Sequence, residues 1–252
     1  MTWLGQITNF GRLGALAIAG ILTLGGAGPL QAAEAVFTEA SSAGPAQVAY
    51  TPPQAPAPVV VLVAGPSGFE KYQGYAERLA DMGYYVVVIA GADVLTREQN
   101  GPAKLRHTID RAQKSPLAIK GKTAIIAFSL GGAGALAFAS EMPERVSMVI
   151  AHYPYTNFPS AQAATTFVQR FKVPLLVLAA GRDNFGGCCK IESMRDIEAA
   201  AKERGANFEL VVYPQANHGF NLEGVTYRQE DDEDAWRRVQ DMLDHYHPPK
   251  AE

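Results

Sequence analysis

The sequence predicts an α/β fold, a mostly parallel central sheet with helices on both faces. Three observations lead there. Short continuous apolar runs recur at residues 59–63, 85–90, 123–128, 146–151, 175–179 and 208–213. A run without polar alternation is what a strand buried on both faces requires. Between several of these runs, apolar residues recur at helical spacing, and glycines stand where such helices end. The 252 residues, 48% hydrophobic and 19% charged, suffice for one large domain, so a second is not needed.

The elements can be taken in order. Arg12 precedes an apolar stretch at residues 13–24, Pro29 can end a helix, and Ala33-Glu34-Ala35 has the small-residue spacing of a cleavage site. Residues 1–35 therefore read as a signal peptide, with a mature start near Glu34 or Val36 and no stable membrane insertion afterwards. An uncleaved anchor is the alternative, although the run is short for a span and diluted by glycines. Export, periplasmic or secreted, is the expectation. Residues 36–58, which include "SSAGPAQVAYTPPQAPAP", read as an extended lead-in with one short edge strand at 47–50. The domain proper spans 59–252. Its first helix is announced by Tyr72, Tyr75, Ala76, Leu79 and Met82 and closed by Gly83. A second fits Leu105, Ile109 and Ala112. A third covers 191–204 before Gly205, and a last runs from about 230 to 246.

The formal charge of −3, without a dense Lys/Arg cluster, leaves no electrostatic footprint for nucleic acid. The only two cysteines, Cys188 and Cys189, are adjacent. Neighbours cannot staple distant parts of the chain, so they read as a local loop feature rather than a disulfide framework or a metal site. The acidic run at 230–234 reads as the solvated start of the last helix, where negative charge complements the helix dipole, rather than as a calcium site. No metal and no organic cofactor is expected.

The residues just past each strand matter most, because ligands of such sheets bind outside the carboxyl ends of the strands. In "TAIIAFSLGGAGALAFA", Ser129 stands where the strand-like run gives way to a helix-like one. It reads either as a nucleophile on a sharp turn or as a helix N-cap. After the run at 175–179 comes "AGRDNFGG" with Asp183, and after 208–213 comes "PQANHGFN" with His218. A serine hydroxyl is a weak nucleophile unless a base takes its proton; imidazole can do so near neutral pH, and a carboxylate can orient and stabilise the resulting imidazolium. Three such residues at three loops of one edge, in the order Ser, Asp, His, match an α/β-hydrolase. His107 falls in a helix and His245 and His247 near the tail. His152, in "AHYPYT", reads as pocket wall more than base.

"FSLGG", "GRDN", "VYPQANHGFN" and the closing "AWRRVQDMLDHY" together resemble the dienelactone hydrolase family of the α/β-hydrolase superfamily, over residues 59–246. The resemblance implies a small-molecule ester substrate, an acyl-enzyme formed on Ser129, proton transfer by His218 and orientation by Asp183. It also implies an oxyanion donor at the Leu130 amide. The chain departs from the family in carrying serine where the family has a nucleophilic cysteine. Ala64-Gly65 stands in place of the family's His-Glu, and Leu222 in place of its substrate-gripping arginine, so dienelactone itself is not the expected substrate. Ala127 replaces the first glycine of the G-x-S-x-G elbow. Pro66 falls where the second oxyanion amide belongs and has no N–H to give; Ser67 or Gly68 is the expected substitute. Phe69, Tyr72, Tyr153 and Phe185 are the expected pocket lining. The readings that stay open are an ordinary esterase, a lipase or polyester hydrolase, and a non-catalytic binding protein on the same fold. Nothing in the sequence sets the oligomeric state.

Overall fold

A computed structural model of the chain describes residues 34–42, 44–96, 98, 100–156 and 161–249. The signal-peptide reading falls outside the described residues except for Glu34 and Ala35. In chain order the elements are β1 (Ala35–Thr38), β2 (Gln47–Tyr50), β3 (Val59–Val63), α1 (Gln73–Asp81), β4 (Tyr85–Ile89), α2 (Gly91–Val94), α3 (Gly101–Lys114), β5 (Thr123–Phe128) and α4 (Ser129–Phe138). There follow β6 (Val146–His152), α5 (Ala161–Phe167), β7 (Leu175–Ala180), α6 (Ile191–Arg204), β8 (Phe208–Tyr213) and α7 (Gln229–Tyr246). The strands form one sheet in the order β1-β2-β4-β3-β5-β6-β7-β8. From β4 to β8 every pairing is parallel, and β2 runs antiparallel to both β1 and β4.

The lead-in thus contributes two strands rather than one. The outer strand is β1, which places β2 inside the edge. All four residues of β1 are exposed, so no apolar alternation betrays it in the sequence.

The apolar runs are explained by burial on both faces. All five residues of β3 are buried. Because successive side chains point to opposite faces, Val59, Val61 and Val63 join the core beneath α3, α4 and α6. Val60 and Leu62 join the core beneath α1 and α7. Each such side chain contributes about 1.5–3 kcal/mol. Gly83 and Gly205 have φ of +91° and +69°, the left-handed geometry that ends a helix cheaply only at glycine.

Helix α7 packs through Ala235, Val239 and Leu243, one apolar residue per turn. Its acidic start is not wholly solvated. Asp232 is 6% exposed and meets the Arg78 guanidinium at 3.4 Å. Arg78 itself lies 3.8 Å over the Trp236 ring, so α1 carries the cation that draws this one carboxylate inward. No helix among the described residues is long and apolar enough to cross a membrane.

Candidate active site

Three loops at the carboxyl edge of the parallel strands bring Ser129, Asp183 and His218 together. Ser129 follows β5 directly and has φ of +50°, a left-handed conformation that a residue with a side chain adopts only under constraint. Phe128 before it is still extended, so the chain turns from strand to helix at this one residue. Glycine makes the turn possible. A Cβ on Gly131 would collide with the carbonyls of Val63 and Ala64, and one on Gly91 with the Ala64 carbonyl. The elbow, the end of β3 and the start of α2 therefore press backbone against backbone. The hydroxyl turns toward His218 rather than back to cap the helix.

The serine Oγ lies 2.8 Å from His218 Nε2, and His218 Nδ1 lies 2.7 Å from Asp183 Oδ2. A carboxylate can only accept, so Nδ1 carries the proton toward Asp183 and Nε2 accepts the serine O–H. The second carboxylate oxygen, Oδ1, accepts the Phe185 amide at 3.1 Å. With a side chain that is 0% exposed, Asp183 is fixed from both sides, while the imidazole keeps 14% of its surface open. The two loops are tied to each other as well: the Gly181 amide donates to the Tyr213 carbonyl and the Arg182 amide to the Ala216 carbonyl.

The imidazole is gripped by aromatic rings. Phe185 stacks on it at 4.7 Å and 10°, and Tyr153 approaches it at 4.7 Å and 60°. Tyr153 follows β6 with φ of +35°, and its buried hydroxyl has no hydrogen-bond partner among the described residues. Ser129 and His218 open into a cavity of about 320 Å³ whose walls include Pro66, Ser67, Tyr72, Tyr153, Phe185, Leu222 and Val225. A larger cavity of about 620 Å³ lies alongside, lined by charged groups that include Glu70, Glu77, Arg78 and Asp232. The smaller of the two holds both the Ser129 hydroxyl and the His218 imidazole.

Most of the expected site residues converge. Tyr72, Tyr153 and Phe185 line the cavity, and Leu130 follows Ser129 in the first turn of α4. Ser67 stands exposed at the cavity wall. Gly68 is exposed with φ of +82°, and nothing lies within 4 Å of where its Cβ would be. Phe69 is a correction: it is absent from the cavity wall and packs instead against Phe37 of β1, ring centroids 6.2 Å apart. An apolar ring beside an exposed edge strand gains more by covering it than by facing the opening. Tyr155, next to the site, is 41% exposed.

His152 is no base. It is fully buried, stacks on Phe128 at 4.5 Å and 6°, and is held by Tyr75 Oη at 3.1 Å and Asn221 Nδ2 at 3.0 Å. Burial pushes its pKa down to about 3.

Cys188 and Cys189 are joined to each other by a disulfide. A sequence shows that adjacent cysteines cannot reach elsewhere, but not that they bond to one another. The bridge sits beside the site, the Cys189 sulfur lying with an Asp183 carboxylate oxygen and a His218 nitrogen in a cluster no more than 4.8 Å across. Three such atoms could in principle hold a metal ion. Here the sulfur is spent in the disulfide, and the other two groups are bonded to each other.

With this geometry in place, comparison with known proteins is informative. Residues 95–247, more than half of the chain, match the family model described as Dienelactone hydrolase family. A provisionally named carboxymethylenebutenolidase of Saccharolobus solfataricus is 33% identical over 124 residues, 48% of this chain and 44% of that protein. The chain thus spans less than half of that relative's length. A protein of the same provisional name from Escherichia coli K12 is 25% identical over 251 residues, 88% of this chain and 91% of that one. Among solved structures, a provisionally named dienelactone hydrolase of Klebsiella pneumoniae superposes with a TM-score of 0.69 at 22% identity, over 86% of this chain and all of that one. At that identity the likeness speaks for the fold.

Proposed function

The chain belongs to the dienelactone hydrolase family, and on that premise we propose that it is a serine hydrolase that cleaves small-molecule carboxylic esters through an acyl-enzyme. The observation that carries this reading is the unbroken chain from Ser129 Oγ through the His218 imidazole to Asp183, with contacts of 2.8 and 2.7 Å. In the acylation step Ser129 Oγ attacks the ester carbonyl while its proton passes to His218 Nε2. Asp183 stabilises the imidazolium so formed. The imidazolium then returns the proton to the departing alkoxide, and the alcohol leaves. Deacylation repeats the sequence with water as the nucleophile.

The cavity wall is largely apolar, with Lys71 among its lining residues. Leu222 lines it where the family's pattern places an arginine for a carboxylate-bearing substrate, and Phe185 and Val225 add apolar surface at the mouth. No metal and no organic cofactor has a part in these steps. The signal-like start of the chain supports export, with action in the periplasm or outside the cell.

The test is a panel of p-nitrophenyl esters of increasing acyl length, with wild type beside Ser129→Ala. Turnover that disappears in the variant is expected. Equal turnover in both would place the chemistry elsewhere. A preference for long or insoluble esters would redirect the reading toward a lipase or polyester hydrolase.

A further inference from the structure

Acyl transfer on a serine needs donors aimed at the carbonyl oxygen as it becomes an oxyanion, and two are usual in this fold. The Leu130 amide, next after the nucleophile at the start of α4, is one. The other should come from the loop after β3, but the loop reads Ala64-Gly65-Pro66, and proline has no N–H. Farther along, Ser67 and Gly68 stand exposed, and Gly68 faces open space.

Another group already occupies that corner. Tyr72, at the end of the single 3₁₀ turn that precedes α1, is 2% exposed, and its ring packs against Phe128 at 5.0 Å. Its hydroxyl reaches back to the loop. A Cβ built on Gly65 would collide with the Tyr72 oxygen, and the same Cβ would stand 3.3 Å from the Cβ of Ser129. A single methyl-sized space therefore separates the phenol from the nucleophile's side chain. Both residues line the same cavity. The phenol oxygen lies against the Gly65 backbone, and a phenol carries an O–H that it can donate. Burial pushes the phenol's pKa up to about 12, so it stays protonated wherever His218 can act as a base.

We propose that the Tyr72 hydroxyl is the second oxyanion donor, supplying the hydrogen bond that the Pro66 nitrogen cannot give. This rests on the serine-hydrolase reading above. As Oγ bonds to the carbonyl carbon, the carbonyl π pair moves to oxygen. Tyr72 O–H and Leu130 N–H then hydrogen-bond that oxygen without transferring a proton. When the tetrahedral intermediate collapses, the pair returns, the carbon–alkoxide bond breaks and His218 supplies the alcohol's proton. It follows that position 65 must be glycine: any side chain there would drive the phenol away.

The experiment compares Tyr72→Phe, Gly65→Ala, their double mutant and Ser67→Ala on the best ester of the panel, with thermal melts as a check on folding. Tyr72→Phe keeps the ring against Phe128 and removes only the donor; kcat should fall about a hundredfold with KM little changed. Gly65→Ala should lose a similar factor, and the double mutant should be no worse than Tyr72→Phe alone, since both act through one hydroxyl. Ser67→Ala, which removes the rival hydroxyl, should cost kcat far less than Tyr72→Phe does. A phosphonate adduct of Ser129 should place the phosphoryl oxygen roughly 3 Å from the phenol. Wild-type kcat in Tyr72→Phe, or an adduct oxygen held by the Ser67 or Gly68 amide, overturns the assignment and leaves the ester hydrolase standing. A wild-type protein that neither hydrolyses the panel nor takes up the phosphonate overturns both.

Discussion

His152 and His218 stand at the same edge of the sheet, one ending β6 and the other in the loop after β8, and each ring holds two side-chain hydrogen bonds. Their surroundings separate them. His152 lies between a phenol and an amide, neutral groups, in full burial that pushes its pKa down to about 3. His218 has a carboxylate behind it, a hydroxyl before it and an open face toward the cavity. A histidine carries a proton only where something stabilises its charged form. Position at a strand end is therefore not enough to make a catalytic histidine.

The contrast can be broken most severely at the open site. Ser129→Ala and His218→Ala should each lower kcat by about a thousandfold or more in a folded protein, and the double mutant should be little worse, because residues that act as a unit fail together. Independent, multiplying losses in steady-state kinetics would dissolve the unit. Asp183→Asn should follow, with a loss of about a hundredfold or more: an amide can fill the place but cannot stabilise the imidazolium. The buried histidine should answer in stability. His152→Ala should cost about 3 kcal/mol in a denaturant melt, since it opens a cavity and leaves Tyr75 and Asn221 unpaired, while kcat of the folded protein moves by less than about fivefold.

Acid sharpens the same contrast. His152 and His247 are held neutral, their pKa values pushed by burial to about 3 and about 4. Unfolded, each takes up its proton near pH 6.5. Between these values the unfolded state binds more protons, so stability from this source is complete above about pH 6.5 and is lost as pH falls toward 4 and then 3. Melting temperatures across that window should drop, and His247→Gln should shallow the slope. The smallest effect is expected at the disulfide: Cys188→Ser with Cys189→Ser should alter kcat by less than about tenfold, because neither sulfur meets the reacting atoms in the steps proposed. Inactivation by iodoacetamide that needs these cysteines would instead indicate thiol chemistry.

The parallel core was legible because strands such as β3, buried on both faces, have nowhere to put a polar residue. The longer helices were legible through their spacing and through Gly83 and Gly205, whose φ values only glycine adopts easily. β1 was not, because four exposed residues carry no pattern. Ser129, Asp183 and His218 stood out since each residue type followed a recognisable strand, and loops at one edge must converge. The directions of side chains were hidden. Phe69 and Tyr72 are three positions apart and equally aromatic, yet only the fold decides that one covers Phe37 while the other reaches Gly65. Asp232, likewise, is one acid among several until Arg78 is seen beside it.

His247, one residue past α7, donates from Nε2 to the carbonyl of Val59 at 2.9 Å, accepts from Ser147 and stacks on Tyr84, whose hydroxyl donates to its carbonyl. The last helix is thus latched to the first core strand across 188 positions of sequence. During synthesis β3 is made well before its latch, so the sheet's first parallel strand cannot be locked until the 188 positions that separate them have left the ribosome. A truncation before His247 should slow or prevent completion of the fold while leaving every residue of the candidate active site in place.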